Sequence, residues 1–304
     1  MKKVSKVLGL CTLLTLATVS CKKNTEPVGF SFKADINEPT SEGKNYLGTD
    51  NIIRWNAGDQ VRVFVRNGNS AVFETQDEGQ KVATFHGTIE EGDEYVAFYP
   101  AQNCTDNQNG KVTMTLSEVQ HYVNYGFADD TYPMAAVFSG PSANTSFQTR
   151  FYSPCGMLCL QLDGNAKIGK IELEDNFKTT WMGMEIGHPL AGDLTATVAG
   201  FDPHNPDFDL PKPKDMRKTK ITLDCGEEGV QLTSTVKRFY FVLPTYPKDK
   251  LLNPIAQCQV FERGFTAKVY DTNGVCIKEL STIKDNHIKP EVVKLMPKMT
   301  INVN

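Results

Sequence analysis

The sequence is short of most things that a catalyst or a nucleic-acid binder needs. It holds five histidines and two tryptophans in 304 residues, and its 32 Lys and Arg are outnumbered by 36 Asp and Glu. No basic cluster supplies the dense positive footprint that phosphate recognition demands, so nucleic acid is not expected as a partner. GxSxG, HExxH, P-loop and GxGxxG motifs are all missing. His86, His121, His188, His204 and His287 lie far apart, without ligand spacing. Beyond the first twenty residues no apolar run approaches the ~20 residues that cross a bilayer as a helix. A 3.6-residue apolar stripe is also hard to find, which argues against a helical protein. No enzyme activity and no cofactor are expected.

What is present begins with an export signal. Lys2, Lys3 and Lys6 form a positive start, Val7 to Val19 an apolar stretch, and the small Ser20 precedes Cys21. This reads as a cleaved signal over residues 1–20, with Cys21 lipidated as the first mature residue and 21–27 as a tether. More than one acyl chain, at ~0.8 kcal/mol per buried methylene, makes such an anchor stable. Thr18 stands where lipoboxes usually carry Leu, and the rival reading is an ordinary secretory signal with a chance cysteine. Loss of the three lysines takes the formal net charge from -4 to -7, so the mature chain is acidic.

The dominant pattern along the remainder is period-two alternation between turn residues, which predicts a mostly β protein. Val28, Phe30, Phe32, Ala34 and Ile36 give a first strand, and residues 37–51, rich in Gly, Ser, Thr and Asn, a loop. Strands follow at 61–65, 71–75, 83–87, 95–99, 112–116 and 157–162, then at 168–173, 194–198, 220–223, 239–243, 265–270, 276–279 and 299–303. Short strands at this spacing imply sandwiches or barrels. Length suggests two domains, placed at 28–163 and 164–304. Residues 200–213, with several prolines and aspartates, are expected to form an exposed loop.

Candidate chemistry is sparse. Asp202, His204, Asp207 and Asp209 are the nearest approach to a metal cluster, but they lack the Gly-permitted turn and bidentate Glu of a calcium loop. Asp129 and Asp130 read as a hydrated turn, and Trp55 and Trp181 as core. Apart from Cys11 and Cys21 there are Cys104, Cys155, Cys159, Cys225, Cys258 and Cys276. Cys155 and Cys159 share one strand face with Cα atoms ~13 Å apart, too far to join. Small buried hydrophobes are the expected role for these thiols.

Several segments together resemble a known family. Ile53 to Phe64, IRWNAGDQVRVF, is similar to the W-x-x-G-D-x-I-x-V-F segment of fimbrillin-like proteins, which are surface lipoproteins of Gram-negative anaerobes. Tyr95 to Pro100 resembles the family's Y-x-A-x-Y-P strand end. Leu116 to Gln120, followed by Tyr132 to Ala136, resembles its L-x-x-x-Q and P-M-x-A pair. Ser153 to Leu160 and Phe239 to Pro244 resemble two of its strands. The resemblance implies two tandem transthyretin-like β-sandwich domains and a structural part in a fimbria or pilus, as stalk, anchor or tip, with a role in cell adhesion. It implies other fimbrillin-like subunits as partners through strand exchange, and the outer membrane through the lipid anchor. In stalk subunits a trypsin-like protease removes the first strand; here Lys44 and Arg54 are the candidate cut sites. A C-terminal strand with Met299, Ile301 and Val303 on one face is the candidate donor, whereas in anchor proteins both strands stay in their own sheets. The alternative is a non-polymerising adhesin or glycan-binding surface lipoprotein, taking a host or bacterial surface ligand through Tyr122, Tyr125, Phe127 and Tyr132.

Overall fold

The computed structural model describes residues 27–41, 53–66, 69–107, 110–128, 131–140, 147–204, 208–209, 214–246 and 259–303. Among them there is no α-helix, and short 3-10 turns occur at Ala101–Asn103 and Asp215–Arg217. The chain is almost all β, in sandwich-like sheets.

Seven strands form the largest sheet, in the order Met134–Ser139, Glu94–Tyr99, Gln60–Val65, Ser70–Thr75, Val82–Glu90, Pro27–Ile36, Phe147–Phe151. Twist brings its two outer strands back together, and Ala135 and Tyr152 exchange both backbone hydrogen bonds, at 2.8 and 2.9 Å. The result is barrel-like, because closing a twisted sheet on itself removes its open edges. Alternate side chains fill the interior: Phe32 packs on Phe73, Phe85, Phe138 and Phe147 at ring separations of 4.8 to 5.9 Å. Offset and tilted rings at these distances are the geometry aromatic quadrupoles favour.

A four-stranded sheet, Thr40–Ser41, Val292–Ile301, Cys155–Gly164, Lys237–Pro244, separates this core from a second one. Cys155, Met157 and Cys159 face the first core; Leu158, Leu160 and Leu162 face the second. Tyr240 and Val242 likewise face the first, and Phe239, Phe241 and Leu243 the second. Burial on both faces explains why these two strands read as continuous apolar runs and not as alternation. Covering the second core is a six-stranded sheet, Gly126–Phe127, Val119–Val123, Lys220–Asp224, Lys170–Asp175, Phe265–Tyr270, Cys276–Ser281. A three-stranded sheet, Gly192–Thr197, Lys111–Leu116, Cys104–Asn107, adds Leu194, Val112 and Met114 to the first core.

Several details depart from the sequence reading. The strand expected at 168–173 is divided at Gly169, where a Cβ would lie 2.5 Å from the Asp271 carbonyl oxygen, so the backbones there are too close for a side chain. The last strand runs Val292–Ile301, starting well before 299. Segments on both sides of Gly164 share sheets: Val119–Val123 pairs with Lys220–Asp224, and Lys111–Leu116 with Gly192–Thr197. The described part of the 200–213 excursion is not simply exposed. Phe201 stacks edge-on against Phe98 at 5.1 Å, and Phe208 is buried, bridged to Ala196, because these two rings find the first core.

Candidate functional site

The first strand is held from both sides. Pro27 to Asp35 pair antiparallel with Glu90 to Val82, and Phe32 to Ile36 pair in parallel with Phe147 to Phe151. Phe32, Ala34 and Ile36 are fully buried, and Asp35 takes two bonds from Arg150, at 2.8 and 3.0 Å.

The W-x-x-G-D segment is what fastens that strand from inside. Trp55 Nε1 donates to the Ala34 carbonyl at 2.9 Å, and its ring meets Phe85, Tyr99 and Phe151 edge-on at 4.9, 5.1 and 5.4 Å. Gly58 turns the chain with φ of 91°, a conformation that side chains resist. Asp59 closes the turn by accepting from the Asn56 N–H at 2.7 Å, and its other oxygen accepts from the Tyr99 hydroxyl at 3.0 Å. The two tyrosines of the Y-x-A-x-Y-P segment are thus hydrogen-bonding members of the core, the Tyr95 hydroxyl accepting the Gly92 N–H at 2.8 Å and donating to the Glu90 backbone carbonyl at 3.2 Å.

Arg54, the described one of the two candidate cut sites, donates to Glu38 at 2.9 Å and to the Ile53 carbonyl at 2.7 Å. The Arg54 bond holds the Glu38 carboxyl below its ordinary range, with Lys81 adding to the effect. The next residue, Trp55, exchanges backbone bonds with Gln80 at 2.8 and 3.0 Å. Lys44 and Cys21 lie outside the described residues, as do Cys258, Asp129, Asp130, Asp207 and the side chain of Trp181.

The candidate donor strand runs parallel to Cys155–Gly164, with a register shift between Cys159 and Gln161 opposite Pro297. There the Gln161 amide reaches the Met296 carbonyl at 2.6 Å. Met299 and Ile301 pack on the second core, while Val303 lies exposed beyond the strand end. Asp163 fastens the strand, accepting from Lys298 at 2.9 Å and Thr300 at 2.6 Å, and these bonds hold its carboxyl below the usual range.

Of the four candidate aromatics, three come together. Tyr125, Phe127 and Tyr132 line a cavity of about 130 Å³ with Arg54, Trp55 and Asn124. Phe127 and Tyr132 are buried and 4.8 Å apart; Tyr125 is 60% exposed with a φ of 64°. Tyr122 turns away, onto Phe239 at 5.0 Å.

The remaining candidates are structural. The His204 ring packs on Tyr152 at 4.0 Å and its backbone N–H donates to the Asp202 carboxylate, while Asp209 pairs with Lys111. No group of three or more metal-ligating side chains gathers among the described residues. Cys104, Cys155 and Cys159 are buried, and burial pushes the Cys104 thiol up to about 12. The expected burial does not hold for Cys225, which is half-buried, or for Cys276, which is exposed on the outer strand of the six-stranded sheet, where one face has no layer over it.

Two residues that sequence reasoning gave no role prove central. Gln120 is buried and bonds the backbone of Val242 with both ends of its amide. Glu291, with a φ of 57°, accepts from Asn37 at 2.9 Å and from the Ser153 N–H at 3.0 Å; burial pushes its carboxyl above the ordinary range.

No family model matches the chain, and no curated protein matches its sequence. Solved structures share its fold. A candidate cell adhesion protein from Bacteroides uniformis ATCC 8492 is 12% identical, with a TM-score of 0.51 over 90% of this chain and 93% of that one. Another, from Bacteroides ovatus ATCC 8483, is 11% identical, with a TM-score of 0.50 over 88% and 89%. At these identities the likeness is one of fold.

Proposed function

We propose that this chain is a non-catalytic cell-surface protein with an adhesion role, a structural component of a fimbria. In this reading it is built from two tandem transthyretin-like sandwiches, anchored to the outer membrane by lipid on Cys21 and joined to fimbrillin-like subunits by strand exchange. The observation that carries it is the placement of Pro27–Ile36. A segment next to the tether, preceding both candidate cut sites, fills an inner position of the seven-stranded sheet with alternate apolar side chains. Its departure would leave two strand edges and a row of apolar sites, the arrangement that accepts an extended segment from a neighbour. The description of the two structural neighbours as adhesion proteins agrees with this role.

A second reading, a non-polymerising adhesin or glycan binder, is favoured by the aromatic cavity and by Tyr125, an exposed ring in a disfavoured backbone conformation. Limited trypsin digestion of the mature protein, followed by N-terminal mass analysis and size-exclusion chromatography, separates the two. Loss of the first strand with appearance of oligomers supports the fimbrial subunit; a cut chain that stays monomeric at high concentration overturns polymerisation and leaves the adhesin.

A further inference from the structure

The hairpin of residues 119–127 brings a turn of one sheet against the tryptophan segment of another. Val123 pairs with Gly126, so Asn124 and Tyr125 form a two-residue turn. With a φ of 64°, Tyr125 sits where such a turn favours glycine, yet a ring is kept there and is 60% exposed. The cavity that this turn closes with Arg54 and Trp55 lies between the seven-stranded and six-stranded sheets. Its floor is apolar, made by Trp55, Phe127 and Met134. At about 130 Å³ it is well below the ~300 Å³ at which pockets begin to enclose a whole drug-sized ligand, so it admits one substituent or part of one ring.

The polar groups that line the cavity hold donors in reserve. Arg54 makes both of its bonds, to Glu38 and to the Ile53 carbonyl, through Nη1, which leaves Nε and Nη2 unbonded among the described residues. Asn124 accepts from the Tyr122 hydroxyl through Oδ1, which leaves its Nδ2 unbonded there as well. No Asp or Glu among the described residues lines the cavity, and Arg54 brings the formal charge. A planar guanidinium with an open edge matches a carboxylate, two N–H groups to two oxygens, and an amide beside it adds a further donor. The group that fits therefore carries a carboxylate next to a small apolar portion. A peptide C-terminus and an acidic sugar both do, and Tyr125 favours the sugar: a ring standing in water offers a flat apolar face to the C–H side of a pyranose, with its hydroxyl left wet.

Resting on the glycan-binding reading above, we propose that the cavity takes the terminal acidic sugar of a glycan. The carboxylate lies against Nε and Nη2 of Arg54 and Nδ2 of Asn124, one face of the sugar ring lies on Tyr125, and a substituent of the size of an N-acetyl group enters the floor. Glu38 opposes this binding, since its carboxylate shares the Arg54 guanidinium at 2.9 Å. Binding also ties down a candidate cut site. Arg54 cannot hold a ligand and enter a protease cleft at once, so occupancy of the cavity and cutting after Arg54 exclude each other.

The test uses the whole uncut mature chain, titrated calorimetrically with two matched pairs: sialyllactose against its methyl ester, and a disaccharide ending in glucuronic acid against the one ending in glucose. At least one acid is expected to bind, and its neutral counterpart roughly tenfold more weakly, the loss of hydrogen bonds to a charged group. Arg54→Gln should bring the acid down to its neutral counterpart with the melting curve unchanged, and Arg54→Lys should recover part of the loss. Glu38→Gln should tighten the acid by about twofold or more and leave the neutral sugar as it was. Saturating acid should also delay the tryptic N-terminus at Trp55 and not the one at Asn45. Equal binding of acid and neutral sugar, or acid binding that survives Arg54→Gln, overturns the acidic assignment and leaves glycan binding standing. Binding of no sugar, in these titrations or on a glycan array, overturns the glycan reading as well, and binding instead of an apolar peptide with a free C-terminal carboxylate assigns the cavity to a protein ligand.

Discussion

The side chain of Gln120 stands in for a β-strand beside Val242: its Nε2 donates to the Val242 carbonyl at 2.7 Å, and its Oε1 accepts the Val242 N–H at 2.9 Å. Lys237–Pro244 is an outer strand of its sheet, buried on both faces, so water cannot satisfy these groups. Gln120→Ala leaves both unpaired, at about 1–3 kcal/mol each. A urea midpoint unchanged from the parent would show that the edge finds another partner. Gln120→Glu should be least stable at neutral pH, where a carboxylate faces the Val242 carbonyl, and recover on acidification.

Trp55 and Gly58 lie three residues apart in one motif yet act through different terms. Trp55→Ala empties a fully buried site and removes the indole bond to the Ala34 carbonyl, so about 3–5 kcal/mol is expected. At Gly58 there is open space around a Cβ, and Gly58→Ala should cost only the strain of its positive φ, about 1–2 kcal/mol. Equal losses in chemical denaturation would mean that the turn, and not the ring, holds the first strand.

How much of this was legible depends on how local the signal was. Phe265–Tyr270 shows alternate burial because one of its faces lies on a core, and Gln60–Val65 does so up to Phe64, which is buried on the other face against Phe98; the sequence periodicity follows. Phe147–Phe151 alternates too, with Gln148 and Arg150 exposed, but its inward face holds only two apolar residues on either side of the buried Thr149, too few to signal a strand. The structural work of the Trp55 motif was half visible: a core tryptophan could be expected, its bond to Ala34 could not. Gln120 stands out in sequence only as the last position of the L-x-x-x-Q segment and Glu291 not at all, and neither bond is legible, since the partners Val242 and Asn37 lie 122 and 254 positions away. Pairing across such separations is set by which edges the folded sheets leave open, and no period in the chain encodes it.

The two carboxylates that fasten the C-terminal strand should respond to pH with opposite sign. Glu291 has a raised folded value, so the native state holds a proton that the unfolded chain has lost, and its contribution to stability falls as pH rises from ~4.3 through that raised value. Asp163 has a lowered folded value, so its contribution is present above ~3.9 and is lost as pH falls through the lowered one. Urea midpoints between pH 2 and 7 should therefore show a shallower acid slope in Asp163→Asn, where the lowered Glu38 and Glu172 still contribute, and a shallower fall above pH 4 in Glu291→Gln. Identical profiles for parent and variants would remove both groups from the account.

Tyr125 offers a separation of binding from folding. Its φ of 64° suits glycine, and its ring is mostly exposed, so Tyr125→Gly should change stability by no more than about 1 kcal/mol. If the cavity it borders takes a glycan, binding on a glycan array should vanish in this variant while the melting curve stays put. Retained binding would move any receptor site elsewhere.

Cleavage after Arg54 is held back less by its ion pair than by the residue that follows. The Glu38 bond is partly exposed and of the kind worth about 0–1 kcal/mol, so Glu38→Gln should speed tryptic cutting there no more than about fivefold. Trp55, by contrast, must leave a core site and break its exchange with Gln80 before the peptide bond can enter a protease cleft. Cutting of this kind follows the equilibrium population of the opened state, so Trp55→Ala should raise it by a factor of a hundred or more, at about 3–5 kcal/mol of lost packing. Mass analysis of new N-termini over a digestion time course reads both. In the parent chain a terminus at Asn45, after Lys44, should appear well before one at Trp55; the reverse order would mean that the first strand and its tryptophan anchor open together far more readily than their burial allows.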